Sequence, residues 1–119
     1  MTGDDVNAFC LSLPGTKRVI QWGESNVYKI AEKMFAVMGS EGIAVTLKCP
    51  DDDTARMLID AGAAERAPYL ARGGWVRINI GTMPDKELRA RLEISYSKIR
   101  SSLTKSIQAD LPVYEPEKE

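Results

Sequence analysis

Two short runs constrain this chain more than any other feature. In Ile43-Ala44-Val45-Thr46-Leu47-Lys48, and again in Trp75-Val76-Arg77-Ile78-Asn79-Ile80, two kinds of side chain alternate strictly. Successive side chains of a strand point to opposite faces. Ile43, Val45 and Leu47 therefore share one face, as do Val76, Ile78 and Ile80, and the remaining residues line the other. A sheet with one dry and one wet face is antiparallel by habit and needs a layer of helices over its dry side.

The intervening sequence supplies those helices. Thr2 can cap a helix over roughly residues 4–12, in which Val6, Phe9, Cys10 and Leu13 form the apolar stripe and Asp4 and Asp5 suit the positive end of the dipole. Pro14-Gly15 stops it. Pro50 and Asp51-Asp52-Asp53 open a second helix, with Ala55, Leu58 and Ile59 inward and Gly62 as terminator. The three aspartates lack the ligand spacing of a calcium loop, and capping is the favoured reading. Pro84-Asp85 opens a last helix in which Leu88, Leu92, Ser95-Tyr96, Ile99 and Leu103 recur at helical spacing over about five turns.

The β-rich runs between the first two helices are Arg18–Gln21, Asn26–Ile30, Met34–Met38 and Ile43–Lys48, separated by turn-forming segments. The first run is open as a strand or an irregular lead-in, so the meander counts three strands. Two more follow over Glu65–Ala71 and Trp75–Ile80, joined by Arg72-Gly73-Gly74, which reads as a hairpin turn rather than a phosphate cradle. The expected fold is an α+β two-layer sandwich, α-β(3)-α-β(2)-α, with an antiparallel sheet and all helices on one face. Residues 1–108 read as a single domain, and residues 109–119, with Pro112 and Pro116 among alternating charges, as a frayed tail.

Composition narrows the chemistry. The 119 residues contain no histidine, which removes Ser-His-Asp and Cys-His catalysis and nearly every common zinc site. Cys10 and Cys49 have no metal-type spacing and are expected unpaired, with Cys49 a structural thiol. No basic leader and no apolar run of about 18 residues is visible, so the expectation is a reduced cytoplasmic protein without a membrane span, metal or cofactor.

Cations give the remaining signal. On the wet face Trp75, Arg77 and Asn79 can line up beside Thr46 and Lys48, an aromatic among cations of the kind that stacks bases and holds phosphates. Tryptophan and arginine also anchor protein interfaces. In the last helix Lys86, Arg89, Arg91, Lys98, Arg100 and Lys105 outnumber Glu87 and Glu93. The helix dipole alone explains much of that bias, so a solvated face and a phosphate-contacting face both stand. The formal net charge of −1 supplies no general attraction to nucleic acid.

An ordered set of short motifs resembles the MmcQ/YjbR family. It runs from Leu11-Ser12-Leu13-Pro14-Gly15-Thr16 through Trp22-Gly23, Val27-Tyr28-Lys29 and Lys33-Met34-Phe35-Ala36 to Leu47-Lys48-Cys49, Pro68-Tyr69, Gly74-Trp75-Val76 and Ser95-Tyr96. Together these span roughly residues 4–105. The resemblance implies a sandwich like that of secretion chaperones and a DNA-binding label, with no catalytic residue to carry across. Many members have histidines and lysines before the tryptophan; this chain reads Leu70-Ala71-Arg72-Gly73-Gly74 there, with one cation. The resulting expectation is a non-enzymatic protein that binds DNA weakly and largely without sequence preference, through Lys48, Arg72, Trp75, Arg77, Lys98 and Arg100. The alternative is a protein-binding adaptor or chaperone-like module using the open sheet face.

Overall fold

The N-terminal helix begins where capping chemistry places it. In a computed structural model that describes residues 1–67 and 73–114, the Thr2 hydroxyl accepts the Asp5 amide and the Asp5 carboxylate accepts the Thr2 amide. This capping box satisfies two otherwise orphaned donors and starts α1 (Gly3–Ser12). Asp51 does the same for α2 (Asp52–Asp60), its carboxylate accepting the Thr54 amide at 2.7 Å. The triple aspartate is thus at least partly a cap.

Among the described residues, six antiparallel strands form one sheet in the order β1-β2-β3-β4-β6-β5. They are β1 (Thr16–Gln21), β2 (Ser25–Ile30), β3 (Lys33–Met38), β4 (Ala44–Lys48), β5 (Glu65–Arg66) and β6 (Trp75–Asn79). The run left open as a lead-in is a full edge strand, in register with β2 from Thr16↔Ile30 to Gln21↔Ser25. The meander therefore has four strands where three were counted. Lys17 and Arg18 on this edge discourage pairing with another chain. Of the strand expected over Glu65–Ala71, only Glu65–Arg66 is regular; residues 68–71 lie outside the described residues.

One core joins the layers. Val6 and Cys10 of α1, Ala55 and Leu58 of α2, and Leu88, Leu92 and Tyr96 of α3 (Asp85–Ser101) pack on Tyr28, Phe35, Leu47, Val76 and Ile78 of the sheet. Helix α1 lies over β1, α2 over β5 and β6, and α3 over β2, β3 and β4. Val76, Ile78 and Ile80 face the helices, as their alternation requires, while Arg77 and Asn79 are exposed. The last helix stops at Ser101, two residues short of Leu103; Thr104 then caps a separate short helix, α4 (Lys105–Asp110). Of the segment expected to fray, Tyr114 packs on the body, its ring edge-on to Tyr96 at 4.8 Å and its hydroxyl donating to Glu93, while residues 115–119 lie outside the described residues.

Both cysteines are free and buried. Burial alone pushes the Cys10 thiol from 9.0 up to about 12. Burial, with the neighbouring Cys10, likewise pushes the Tyr28 hydroxyl from 10.0 up to about 12. Both folded values lie above the unfolded ones, so the native state holds these protons more tightly. Their contribution to stability is full below about pH 9 and is lost as pH rises through about 12. Urea midpoints at neutral pH and at pH 11 should show the protein weaker in alkali; equal midpoints would mean that neither group is held protonated by the fold.

Candidate nucleic-acid interface

The sheet register decides which side chains share the face that the helices leave open. Directly opposed residues of an antiparallel pair point the same way. Lys48↔Trp75, Thr46↔Arg77 and Ala44↔Asn79 therefore place these six residues together on that face. A second row continues across the sheet from Arg77 through Thr46 and Val37 to Val27 and Val19. Val27 has no exposed surface although it points away from the helices.

Trp75 is seated by the turn before it. Gly73 and Gly74 both have φ near +80°, and the Gly74 carbonyl accepts the Cys49 amide at 2.8 Å. A Cβ on Gly74 would lie 3.3 Å from the Cys49 carbonyl oxygen, so glycine is required both for its φ and for the close approach. The half-buried indole then lies beside Lys48, whose Nζ sits 5.6 Å from the ring centroid and donates to the Gly73 carbonyl.

At the end of the sandwich, where α3 finishes against β3 and β4, the two layers together enclose a concavity of about 420 Å³. Lys33, Met34, Lys48, Trp75, Lys98 and Ile99 line it and, among the described residues, no carboxylate does, although the Asp51 carboxylate, held below its usual range first by its hydrogen bonds from Thr54, also feels the charge of Lys98. Lys98 comes from the last turn of α3, where the dipole favours cations; the same negative pole opposes a bound anion and offsets part of the attraction.

The structure thus unites Lys48, Trp75 and Lys98 and divides the other expected residues. Arg77 lies on the same open face but borders a different, larger cavity. Arg100 is not brought to this cluster. Its guanidinium donates to the Tyr96 hydroxyl at 2.9 Å and the Pro112 carbonyl at 2.7 Å, and it lies over the Tyr96 and Tyr114 rings. Two residues along a helix from Lys98, it points into a different quadrant and ties the tail to α3. Arg72 lies outside the described residues. Lys33, which the sequence flagged only as part of a family motif, joins the cluster through the fold alone.

Trp22 was also missed. It occupies the β1–β2 turn with φ 51° and is 67% exposed. A non-glycine residue in the left-handed region costs about 1–2 kcal/mol, and an indole left in water adds nothing to the core. The signal available in the sequence was a large aromatic placed beside Gly23 in a turn that small residues would serve better.

Among the described residues, no group of three or more His, Cys, Asp and Glu side chains is placed to hold a metal ion, and no helix is long and apolar enough to cross a membrane. Comparison with known proteins gives three findings. The family model YjbR matches residues 11–98, well over half of the chain. A solved structure, the crystal structure of Deinococcus radiodurans protein DR2400 with the family-model domain DUF419, is similar with a TM-score of 0.82. Its identity is 23% over 92% of this chain and 86% of that one, which supports the α+β fold. No curated protein matches. With the family model spanning the meander, α2, β6 and most of α3, the chain belongs to the YjbR family.

Proposed function

We propose that this protein binds single-stranded DNA weakly and without sequence preference, through the lysine-ringed concavity at Trp75. The observation that carries this reading is the convergence of Lys33, Lys48 and Lys98 around one aromatic ring, with no acid in the lining among the described residues. Aromatic stacking accepts any base, and lysines take phosphates as point charges, so affinity without sequence readout is the natural product of such a site. Three phosphate contacts at about 0.7 each give a slope of log affinity against log salt of roughly −2. That is shallow beside dedicated DNA binders, and the net charge of −1 adds no long-range steering.

Fluorescence anisotropy of a labelled oligothymidine over a salt series tests it. Lys98→Ala should flatten the salt slope by about 0.7 and leave the melting temperature unchanged. Trp75→Ala should weaken binding by about 1–3 kcal/mol. Absence of binding at low salt and protein concentrations on the order of 100 μM, about −5 kcal/mol of affinity, would overturn the reading. So would a Trp75→Ala variant that loses only thermal stability. A protein-binding role for the open face has one specific observation in its favour: Trp22, largely exposed, lies at the end of the face away from the lysines.

A further inference from the structure

That opposite end carries a second concavity with different chemistry. The β1–β2 turn, the loop before β4 and the middle of the sheet enclose about 890 Å³, with Trp22, Glu24, Val37, Glu41, Ile43 and Arg77 on its walls. The groove is open to solvent on one side, and its volume falls in the range of small-ligand sites.

Three features of the walls point to one kind of ligand. Trp22 and Ile43 border the space with 67% and 54% of their surfaces exposed, so two large apolar groups face water there. Glu24, Glu41 and Arg77 are all exposed, and among the described residues none of them has a side-chain hydrogen bond or ion pair. Arg77 stands opposite Glu65 of β5 without an ion pair to it, and the two glutamates of the cavity lie farther off. Arg77 is on β6 and Glu24 adjoins β2, three strand spacings or about 14 Å away across the sheet. The gap to be bridged is shorter, because both side chains are long and both border the same space. A partner must therefore offer a cation to one end, a carboxylate to the other and an aliphatic stem between them.

We propose that this cavity binds the C-terminal basic residue of a peptide chain. The guanidinium or ammonium lies against Trp22 between Glu24 and Glu41, where ring and carboxylates both favour a cation. The stem lies on Val37 and Ile43. The terminal carboxylate pairs with Arg77, whose planar fork suits two parallel hydrogen bonds to a carboxylate. The cavity has several times the volume of one amino acid, which favours a chain end over a free amino acid. The proposal is independent of DNA binding, since Arg77 and Trp22 lie outside the lysine-ringed concavity.

The test is isothermal calorimetry of the full chain with the tripeptide Gly-Gly-Arg, supported by the fluorescence of Trp22 in a Trp75→Phe background. A dissociation constant below about 1 mM is expected, with the C-terminal amide and the citrulline analogue each at least about tenfold weaker. Arg77→Ala should bind the acid and the amide alike. Trp22→Ala should weaken both by about tenfold with the fold intact, and Lys98→Ala should change nothing. The proposal is overturned if Gly-Gly-Arg shows no binding at about 10 mM, if citrulline serves as well as arginine, or if Arg77→Ala still prefers the acid. Free L-arginine binding as tightly as the tripeptide would overturn the assignment to a peptide end.

Discussion

Replacing Phe35 by alanine is expected to remove about 3–5 kcal/mol of stability, enough to leave a domain of ordinary stability largely unfolded. Phe35 is the extra residue of a β-bulge: Tyr28 opposes Ala36 and Lys29 opposes Met34, so Phe35 has no partner on β2. Phe35 and Ala36 are consecutive, yet both are fully buried in the helix-facing core. The bulge turns an additional large side chain inward at the centre of the domain. Its ring meets Tyr96 edge-on at 5.5 Å and lies 6.5 Å from Tyr28. Alanine would leave a void among side chains of α3 and β2 that belong to different layers and cannot both close on it. For a domain this size the melting temperature should fall by about 12–20 °C. Phe35→Leu, which conserves most of the volume, should cost less than half as much, on the order of 1.5 kcal/mol. Urea titrations of the two variants measure this; a loss below about 1 kcal/mol for Phe35→Ala would mean that the site collapses and the bulge has no packing role.

The same bulge shows where the sequence is legible and where it is not. Strict alternation identified both faces of β4 and β6, because these central strands have a helix layer on one side and water on the other. In Lys33–Met38 the bulge breaks the period of two, so that segment gives only its β-branched and aromatic composition. At the edge, β1 has no fully buried residue, and nothing in Thr16–Gln21 forces an alternation that could be seen in advance. In the tail, nothing in the local sequence shows that the Tyr114 ring packs on Tyr96. Arg100 follows from the same cause. Its spacing of four from Tyr96 was visible, but the aromatic and carbonyl that complete its cage come from the returning tail. Half of the candidate site was visible as a register on one face, Lys48 beside Trp75. Lys33 and Lys98 meet that pair only because α3 ends over the ends of β3 and β4, a tertiary fact with no local pattern.

Ser95→Ala is the second large effect expected, and it joins the core to the candidate site. Ser95 lies in the middle of α3 with no exposed surface, an unusual place for a hydroxyl unless it is fully bonded. It is: Ser95 Oγ donates to the Phe35 carbonyl at 2.6 Å and accepts the Lys48 amide at 2.9 Å. Strands β3 and β4 are paired at Ala36↔Leu47, and in that register the next pair would be Phe35 and Lys48. The bulge at Phe35 disturbs the ladder there, and the hydroxyl of a helix residue occupies the break. Alanine removes both bonds and leaves one buried carbonyl and one amide without a partner, at about 1–3 kcal/mol each. The combined loss should be about 2–6 kcal/mol, or about 8–24 °C in melting temperature. Hydrogen exchange gives the more specific readout, because the Lys48 amide should exchange faster than its neighbours on β4 under conditions where the domain stays folded. Unchanged protection at Lys48 would show that the strands pair without the serine. Lost protection would identify Ser95 as the residue that fixes the backbone carrying Lys48, and its ammonium, beside Trp75. Binding of oligothymidine should then weaken in Ser95→Ala even at temperatures where circular dichroism reports a folded chain, an effect that a merely looser core elsewhere would not produce.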